Sequence, residues 1–118
     1  MDYLEQKTET KSELYRAIVI KMLAEYGAYK PSHGEIEVQT IFDNEQDHYQ
    51  VVAVGWDKQE RIYGCSIHLD IKDEKVWIQA NNTELDIGQY LVEMGVQKSD
   101  IVIGFQPPFI RKYSGYAV

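Results

Sequence analysis

The chain has 118 residues, a mass of 13.7 kDa and a formal net charge of −7 at neutral pH. This length predicts a single domain over residues 1–118 with one hydrophobic core. The negative charge disfavours sequence-independent binding to DNA or RNA, because it would repel a polyanion. The single cysteine, Cys65, excludes an internal disulfide and a cysteine-cluster zinc site. No apolar segment approaches the roughly 20 residues needed to cross a bilayer, and the N-terminus is polar. We therefore expect a cytoplasmic protein without a membrane partner.

The first predicted element is an amphipathic helix that starts after Thr10. Thr10 followed by Glu13 is typical of a capping box, and Gly27 or the step into Pro31 is expected to end the helix. Residues 1–10 are expected either to fray or to extend it. The apolar positions recur at three- and four-residue spacings and comprise Leu14, Tyr15, Ile18, Val19, Met22, Leu23 and Tyr26.

Residues 36–79 are predicted to form four strands. Short polar connections separate alternating or β-branched segments, which favours an antiparallel meander. The segments are 36–42, 49–56, 61–71 and 75–79. In the third segment, alternation predicts one apolar face that contains Tyr63, Cys65, Ile67, Leu69 and Ile71. Cys65 is therefore expected to be a buried, unreactive core residue.

A second helix and a short strand complete the predicted fold. Thr83 with Asp86 three residues later indicates a helix start, Gly95 indicates its end, and residues 101–105 form an apolar segment. The helix face is predicted to contain Ile87, Tyr90, Leu91 and Met94. The Pro107–Pro108 pair predicts an irregular tail. The expected fold is a two-layer α+β domain, in which an antiparallel meander packs against the N-terminal helix.

His68 and Asp70 are the strongest candidates for chemistry. They share one face of the third strand, and a carboxylate beside an imidazole can orient a base or hold a metal. Only His33 or His48 could complete such a site. We favour a polar strand face or an interface contact, because the spacing is common. Phosphate-binding, nucleophile-elbow and HExxH zinc motifs are absent from the sequence. We therefore predict no catalytic residue, metal or cofactor.

Aromatic residues indicate a second apolar face on the sheet. Trp77 has the opposite parity to Val76 and Ile78, so the fourth strand carries apolar side chains on both faces. Two coverings remain open, a partner protein or a terminal segment of the chain itself. The basic and aromatic tail favours packing or a protein contact over a phosphate backbone. The candidate interface residues are Trp56, His68, Asp70, Trp77, Arg111 and Tyr113.

Several motifs resemble the XisI family, the fdxN element excision controlling factors of cyanobacteria, and the resemblance extends over residues 14–118. They are DHYQ at 47–50, GW at 55–56, RIYGC at 61–65, HLDIKD at 68–73, KVWIQ at 75–79 and DIVIGF at 100–105, with Arg111. The resemblance implies an accessory role in the programmed removal of a DNA element from a nitrogen-fixation gene during heterocyst development. A separate recombinase performs the strand chemistry in that process.

The same resemblance implies a partner, because XisI-like proteins are usually encoded beside XisH-like proteins that resemble the restriction-endonuclease fold. We therefore predict a non-enzymatic factor that binds an XisH-like protein, forms a homo-oligomer through the same face, and contacts DNA only through a complex. An acidic surface could also occupy a basic nuclease cleft by charge complementarity. The alternatives are a direct DNA-binding component of the excision complex and a small enzyme that uses His68 and Asp70.

Overall fold

The structure, a computed structural model, describes residues 10–31 and 34–118. Its elements are α1 (Lys11–Gly27), β1 (Glu35–Asp43), β2 (His48–Asp57), β3 (Glu60–Lys72), β4 (Lys75–Asn81), α2 (Ile87–Met94), β5 (Ile101–Ile103) and α3 (Pro108–Arg111). A 3-10 turn, Lys98–Asp100, leads into β5. The strands form one sheet in the order β1-β2-β3-β4-β5, antiparallel except for the parallel β4–β5 pair. The predicted α+β class is confirmed. The predictions for residues 1–9 and His33 lie outside the described residues.

The helix α1 begins and ends as its sequence predicts. Thr10 Oγ1 accepts a hydrogen bond from the Glu13 amide at 3.1 Å, and Glu13 Oε1 accepts one from the Thr10 amide at 2.9 Å. This reciprocal capping box stabilises the first turn by satisfying two donors that a helix start leaves free. Leu14, however, is 41 % exposed. The prediction that Leu14 lies on the buried face is wrong, because the helix turns that position to the margin of its contact with the sheet.

The hydrophobic core lies between the helices and one face of the sheet, which we call the inner face. Tyr15 and Leu23 of α1 pack there with Tyr49 of β2, Leu69 of β3 and Leu91 of α2, all at most 2 % exposed. At the margin of this core, the Tyr15 hydroxyl donates a hydrogen bond to Asp100 Oδ2 at 2.6 Å, and Lys11 Nζ lies 3.2 Å from the same oxygen. The two contacts join α1 to the start of β5.

A β-bulge in β3 corrects the predicted alternation. Val51 pairs with Ile67 but Val52 pairs with Cys65, so Ser66 is an extra residue in β3. Cross-strand partners point to the same face, and one extra residue therefore reverses the parity. Tyr63 and Cys65 lie on the face opposite the core, whereas Ile67, Leu69 and Ile71 lie on the inner face. The prediction that all five share one face is wrong, and Cys65 is only half-buried.

The C-terminal part differs from its prediction in three details. The cap of α2 is Asp86, whose carboxylate accepts from the Gln89 amide at 3.1 Å, whereas Thr83 Oγ1 donates to the Asn81 side chain. Met94, predicted on the apolar face of α2, is 36 % exposed because the helix ends at Gly95, which is left-handed at φ 119°. The tail predicted as irregular contains the helical turn α3, since Pro108 fits the first turn of a helix.

The tail continues from α3 around the free edge of β5. The Ala117 amide donates to the Ile101 carbonyl at 2.8 Å, and the Tyr116 ring lies against Gly88 of α2. Ala117 itself is 8 % exposed. No helix in the described ranges is both long and apolar enough to cross a membrane.

Candidate functional site

The predicted interface residues on the strands lie on the sheet face opposite α1, which we call the outer face. The register places Val52, Val54 and Trp56 of β2 beside Cys65, Tyr63 and Arg61 of β3 on this face. Beyond the bulge it continues through Gln50 and His48 beside His68 and Asp70, and then to Trp77 of β4 beside Asp70.

One end of the outer face, the hairpin end, is formed by Trp56, Arg61 and Tyr63. Trp56 is 49 % exposed and Tyr63 is 73 % exposed. The Arg61 guanidinium carbon lies 5.4 Å from the centre of the Trp56 ring and 6.0 Å from that of Tyr63. These separations are typical of cation–π contacts. The two rings and the guanidinium therefore form one contiguous surface beside the β2–β3 turn.

The middle of the outer face, the polar centre, consists of His48, His68 and Asp70. Asp70 Oδ1 lies 2.8 Å from His48 Nδ1 and 2.8 Å from His68 Nε2. Gln79 Nε2 donates to Asp70 Oδ2 at 3.0 Å, and Gln50 Nε2 lies 3.4 Å from His68 Nδ1. The three ligand-capable atoms all lie within 4.8 Å of one another.

Bulges place these side chains together. Without the extra Ser66, the pairing that starts at the β2–β3 turn would continue unchanged and would place Leu69 beside His48 and Ile67 beside Gln50 on the outer face. The bulge instead pairs His48 with Asp70 and Gln50 with His68. A second bulge makes Gln79 the extra residue in β4, since Ile78 pairs with Leu69 and Ala80 with His68. Gln79 then reaches Asp70 from the neighbouring strand.

The electrostatics of the polar centre favour a charged Asp70. Burial acts to raise the pKa of Asp70, but hydrogen bonds with His48, His68 and Gln79 outweigh it and hold the pKa below its ordinary value of 3.8. The hydrogen bond with Asp70 raises the pKa of His48 above its ordinary value of 6.5. The Asp70 side chain is 13 % exposed, whereas that of His48 is 54 % exposed. A carboxylate that is largely shielded from solvent thus faces an imidazole that solvent can reach.

The other end of the outer face, the covered end, is formed by Trp77, Val102 and Arg111. The Arg111 guanidinium lies 5.3 Å from the centre of the Trp77 ring, and Lys72 Nζ lies 4.6 Å from it. Arg111 Nε also donates to the carbonyls of Ile103 and Gln106 at 3.2 and 3.0 Å. Val102 is 2 % exposed, and Trp77 Nε1 is buried without a hydrogen-bond partner among the described residues. At Trp77, the covering is the tail of the chain itself.

The structure therefore separates the sequence-predicted residues into three groups. Trp56 lies at the hairpin end, His68 and Asp70 lie at the polar centre, and Trp77 and Arg111 lie at the covered end. Tyr113, just after α3, is 78 % exposed, and Lys112 Nζ lies 5.3 Å from its ring.

Sequence reasoning missed the assignment of four residues. Arg61 and Tyr63 belong to the hairpin end, and Gln50 and Gln79 contact the polar centre. The face of the sheet on which Tyr63 lies could have been predicted only if the bulge at Ser66 had been recognised. Polar residues in an otherwise apolar alternation were the one available signal for Gln50 and Gln79.

Comparisons with known proteins agree on one family. Residues 9–118 match the XisI protein family. An XisI-like protein from Anabaena variabilis is 46 % identical, with a TM-score of 0.83 over 88 % of this chain and 95 % of that protein. The fdxN element excision controlling factor XisI from Anabaena variabilis is 26 % identical, with a TM-score of 0.79 over 92 % of this chain and 98 % of that one. No curated protein matches the chain.

Proposed function

Because the chain belongs to the XisI family, we propose that it is a controlling factor for programmed DNA excision that acts by binding another protein. The related XisI from Anabaena variabilis is described as an fdxN element excision controlling factor. In this proposal the chain regulates the reaction, and a separate recombinase would break the DNA strands. The partner we propose is an XisH-like protein of nuclease-like fold.

The observation that supports this proposal is the hairpin end. Trp, Tyr and Arg are the residues most enriched among the energetic hot spots of protein interfaces. Here Trp56, Tyr63 and Arg61 form one exposed cluster, in which the guanidinium lies within 6.0 Å of both ring centres. The strands β2 and β3 fix the backbone that carries these side chains, so no backbone entropy has to be lost when a partner covers them.

The net charge of −7 supports a partner with a basic surface. A protein of nuclease-like fold carries positive charge where it meets DNA, and opposite charges accelerate and orient association. The interface would then combine an aromatic anchor at the hairpin end with acidic residues around it. Raising the salt concentration should slow association more than it speeds dissociation.

Co-expression with the XisH-like protein encoded nearest in the genome tests the proposal. We expect a complex that survives size exclusion at micromolar concentration. Trp56→Ala or Tyr63→Ala should weaken it by about 30-fold, the effect of a hot-spot residue worth about 2 kcal/mol. Tyr29→Ala is the matched control, because Tyr29 is 70 % exposed but follows α1 on the other side of the molecule. It should leave the affinity unchanged.

Two results would overturn the proposed partner. One is the absence of a complex at tens of micromolar of both proteins. The other is a gel shift of the element's border DNA by the isolated chain, with a steep dependence on salt, which would favour direct DNA binding instead. Light scattering of the isolated chain decides separately whether it forms a homo-oligomer.

A further inference from the structure

The polar centre has the donor set of a metal site, which the proposed function does not use. We propose that His48 Nδ1, His68 Nε2 and Asp70 Oδ1 bind one divalent transition metal ion of the Zn²⁺ class. Two imidazoles and one carboxylate are donors that zinc and ferrous iron share in sites with open coordination positions. The inference is independent of the partner protein.

The first argument is geometric. The three donor atoms belong to two adjacent strands and already converge within 4.8 Å, with both nitrogens 2.8 Å from Asp70 Oδ1. Tetrahedral ligation with bonds of about 2.0 to 2.1 Å would separate neighbouring donors by roughly 3.3 Å. An ion therefore requires the carboxylate oxygen and each nitrogen to move apart by about half an ångström, and it requires the two nitrogens, which lie within 4.8 Å of each other, to reach the same spacing. The His48 side chain, which is 54 % exposed, is free to make that adjustment.

The second argument is the support behind each donor. Gln79 donates to Asp70 Oδ2, which aims the remaining oxygen, Oδ1, at the two imidazoles. Gln50 lies against His68 Nδ1. With its amide turned, the Gln50 side-chain oxygen would accept a hydrogen bond from the Nδ1–H group of His68, which leaves the lone pair of His68 Nε2 for the metal. Ligating histidines and carboxylates are held in this way by hydrogen bonds from neighbouring groups.

The third argument concerns protons. Two ring nitrogens directed at one carboxylate oxygen must both carry a proton to make two hydrogen bonds to it. A divalent ion satisfies the same three atoms when each imidazole carries its proton on the other nitrogen. For His48 that other nitrogen is Nε2. For His68 it is Nδ1, beside Gln50. The ion would leave one or more coordination positions open towards solvent.

Zinc titration of the full-length, tag-free and chelator-treated chain by calorimetry tests the inference. We expect one Zn²⁺ per chain, and Co²⁺ in its place should give the intense visible bands of a low-symmetry site. His48→Gln and Asp70→Asn should each abolish binding in the concentration range that saturates the parent protein. Gln79→Ala, which removes only a supporting hydrogen bond, should weaken binding by about tenfold. Mg²⁺ should not compete, because it prefers oxygen ligands and avoids imidazole.

His33→Gln is the matched control, because His33 is the one histidine of the sequence that the proposal does not assign as a ligand. It should bind zinc as the parent does. His48→Gln removes a side chain that is largely exposed, so its circular dichroism should remain that of the folded parent. The inference is overturned if the parent protein binds no zinc at millimolar concentration, if the folded His48→Gln variant binds as the parent does, or if His33→Gln loses binding.

Discussion

The two ends of the outer face each carry a tryptophan beside an arginine, but the two arginines differ in what else they hold. At the hairpin end, Trp56 is 49 % exposed and Arg61 reaches from the next strand to the Gly55 carbonyl at 3.4 Å. At the covered end, Arg111 of α3 donates hydrogen bonds to the carbonyls of Ile103 and Gln106. Its guanidinium also lies over the Trp77 ring. The same pair of residue types therefore closes one end of the face and leaves the other open to a partner.

The largest expected effect distinguishes the two tryptophans. Trp77→Ala should lower the free energy of unfolding by about 2–4 kcal/mol, because it leaves a cavity beside Val102 and removes the ring beneath Arg111. Trp56→Ala should lower it by only about 1 kcal/mol, because about half of Trp56 is already exposed to solvent in the folded chain. Urea unfolding monitored by circular dichroism measures both. Equal losses would show that the hairpin end is part of the structural core.

Asp100, which joins α1 to the start of β5 on the side of the core, offers a pH-dependent test. Burial acts to raise the pKa of Asp100, but hydrogen bonds with Tyr15 and Lys11 outweigh it and hold the pKa below its ordinary value of 3.8. A depressed pKa means that the ionised carboxylate stabilises the fold above pH 3.8, and that this contribution is lost as the pH falls through the folded value. Asp100→Asn should cost about 1–3 kcal/mol at pH 7.

The pH dependence is measured as the gap in the free energy of unfolding between the parent protein and Asp100→Asn. The parent and Asp100→Asn should become more nearly equal in stability as the pH falls from 3.8 through the lower folded pKa of Asp100, because the unfolded parent takes up a proton there before the folded parent does. Urea unfolding at pH 7, 5 and 3 measures this gap and cancels the effect of the other carboxylates. A gap that stays constant with pH would contradict the role given to the charge of Asp100.

The two arginines provide the next comparison. Arg111→Ala should cost about 1–2 kcal/mol, because it removes the cation over Trp77 and the donor to two carbonyls. Arg111→Lys should recover little, since an ammonium cannot reproduce the planar fork of a guanidinium. Arg61→Ala should change stability by less than about 0.5 kcal/mol. In a Trp56→Phe background, acrylamide quenching of Trp77 should increase on loss of Arg111 and not on loss of Arg61.

The smallest expected effect concerns Cys65, which lies between the two ends. Burial raises the pKa of the Cys65 thiol, and its Sγ lies 3.3 Å from the Ile67 carbonyl. The native thiol should therefore react with iodoacetamide several-fold more slowly at pH 8 than the unfolded chain does. Mass spectrometry of timed samples measures the rates. Native and unfolded chains reacting at the same rate would show that the centre of the outer face is as open as the hairpin end.

Periodicity was sufficient to predict the order of elements, because α1 and the four meander strands carry strong and distinct patterns. It failed at single-residue irregularities. Ser66 looks like an ordinary polar position in an alternating strand, yet as an extra residue it moves Tyr63 and Cys65 to the outer face and brings His48 beside Asp70. The local alternation of apolar and polar residues does not reveal this change of register, because the position of the bulge depends on which side chains each strand buries on the two faces of the sheet. The position of Arg111 was also inaccessible, because it depends on the path of the tail after Pro108.

The path of that tail also determines how the sheet can grow. β5 is the last strand of the sheet, and an uncovered last strand offers free amides and carbonyls to any extended segment of another molecule. At this edge, the Ala117 amide donates a hydrogen bond to the Ile101 carbonyl. The Tyr116 ring, which packs against Gly88, holds the tail in place. The tail therefore opposes the addition of a strand at β5. At β1, the other edge strand, Glu35, Glu37 and Asp43 would repel a second copy of the same strand.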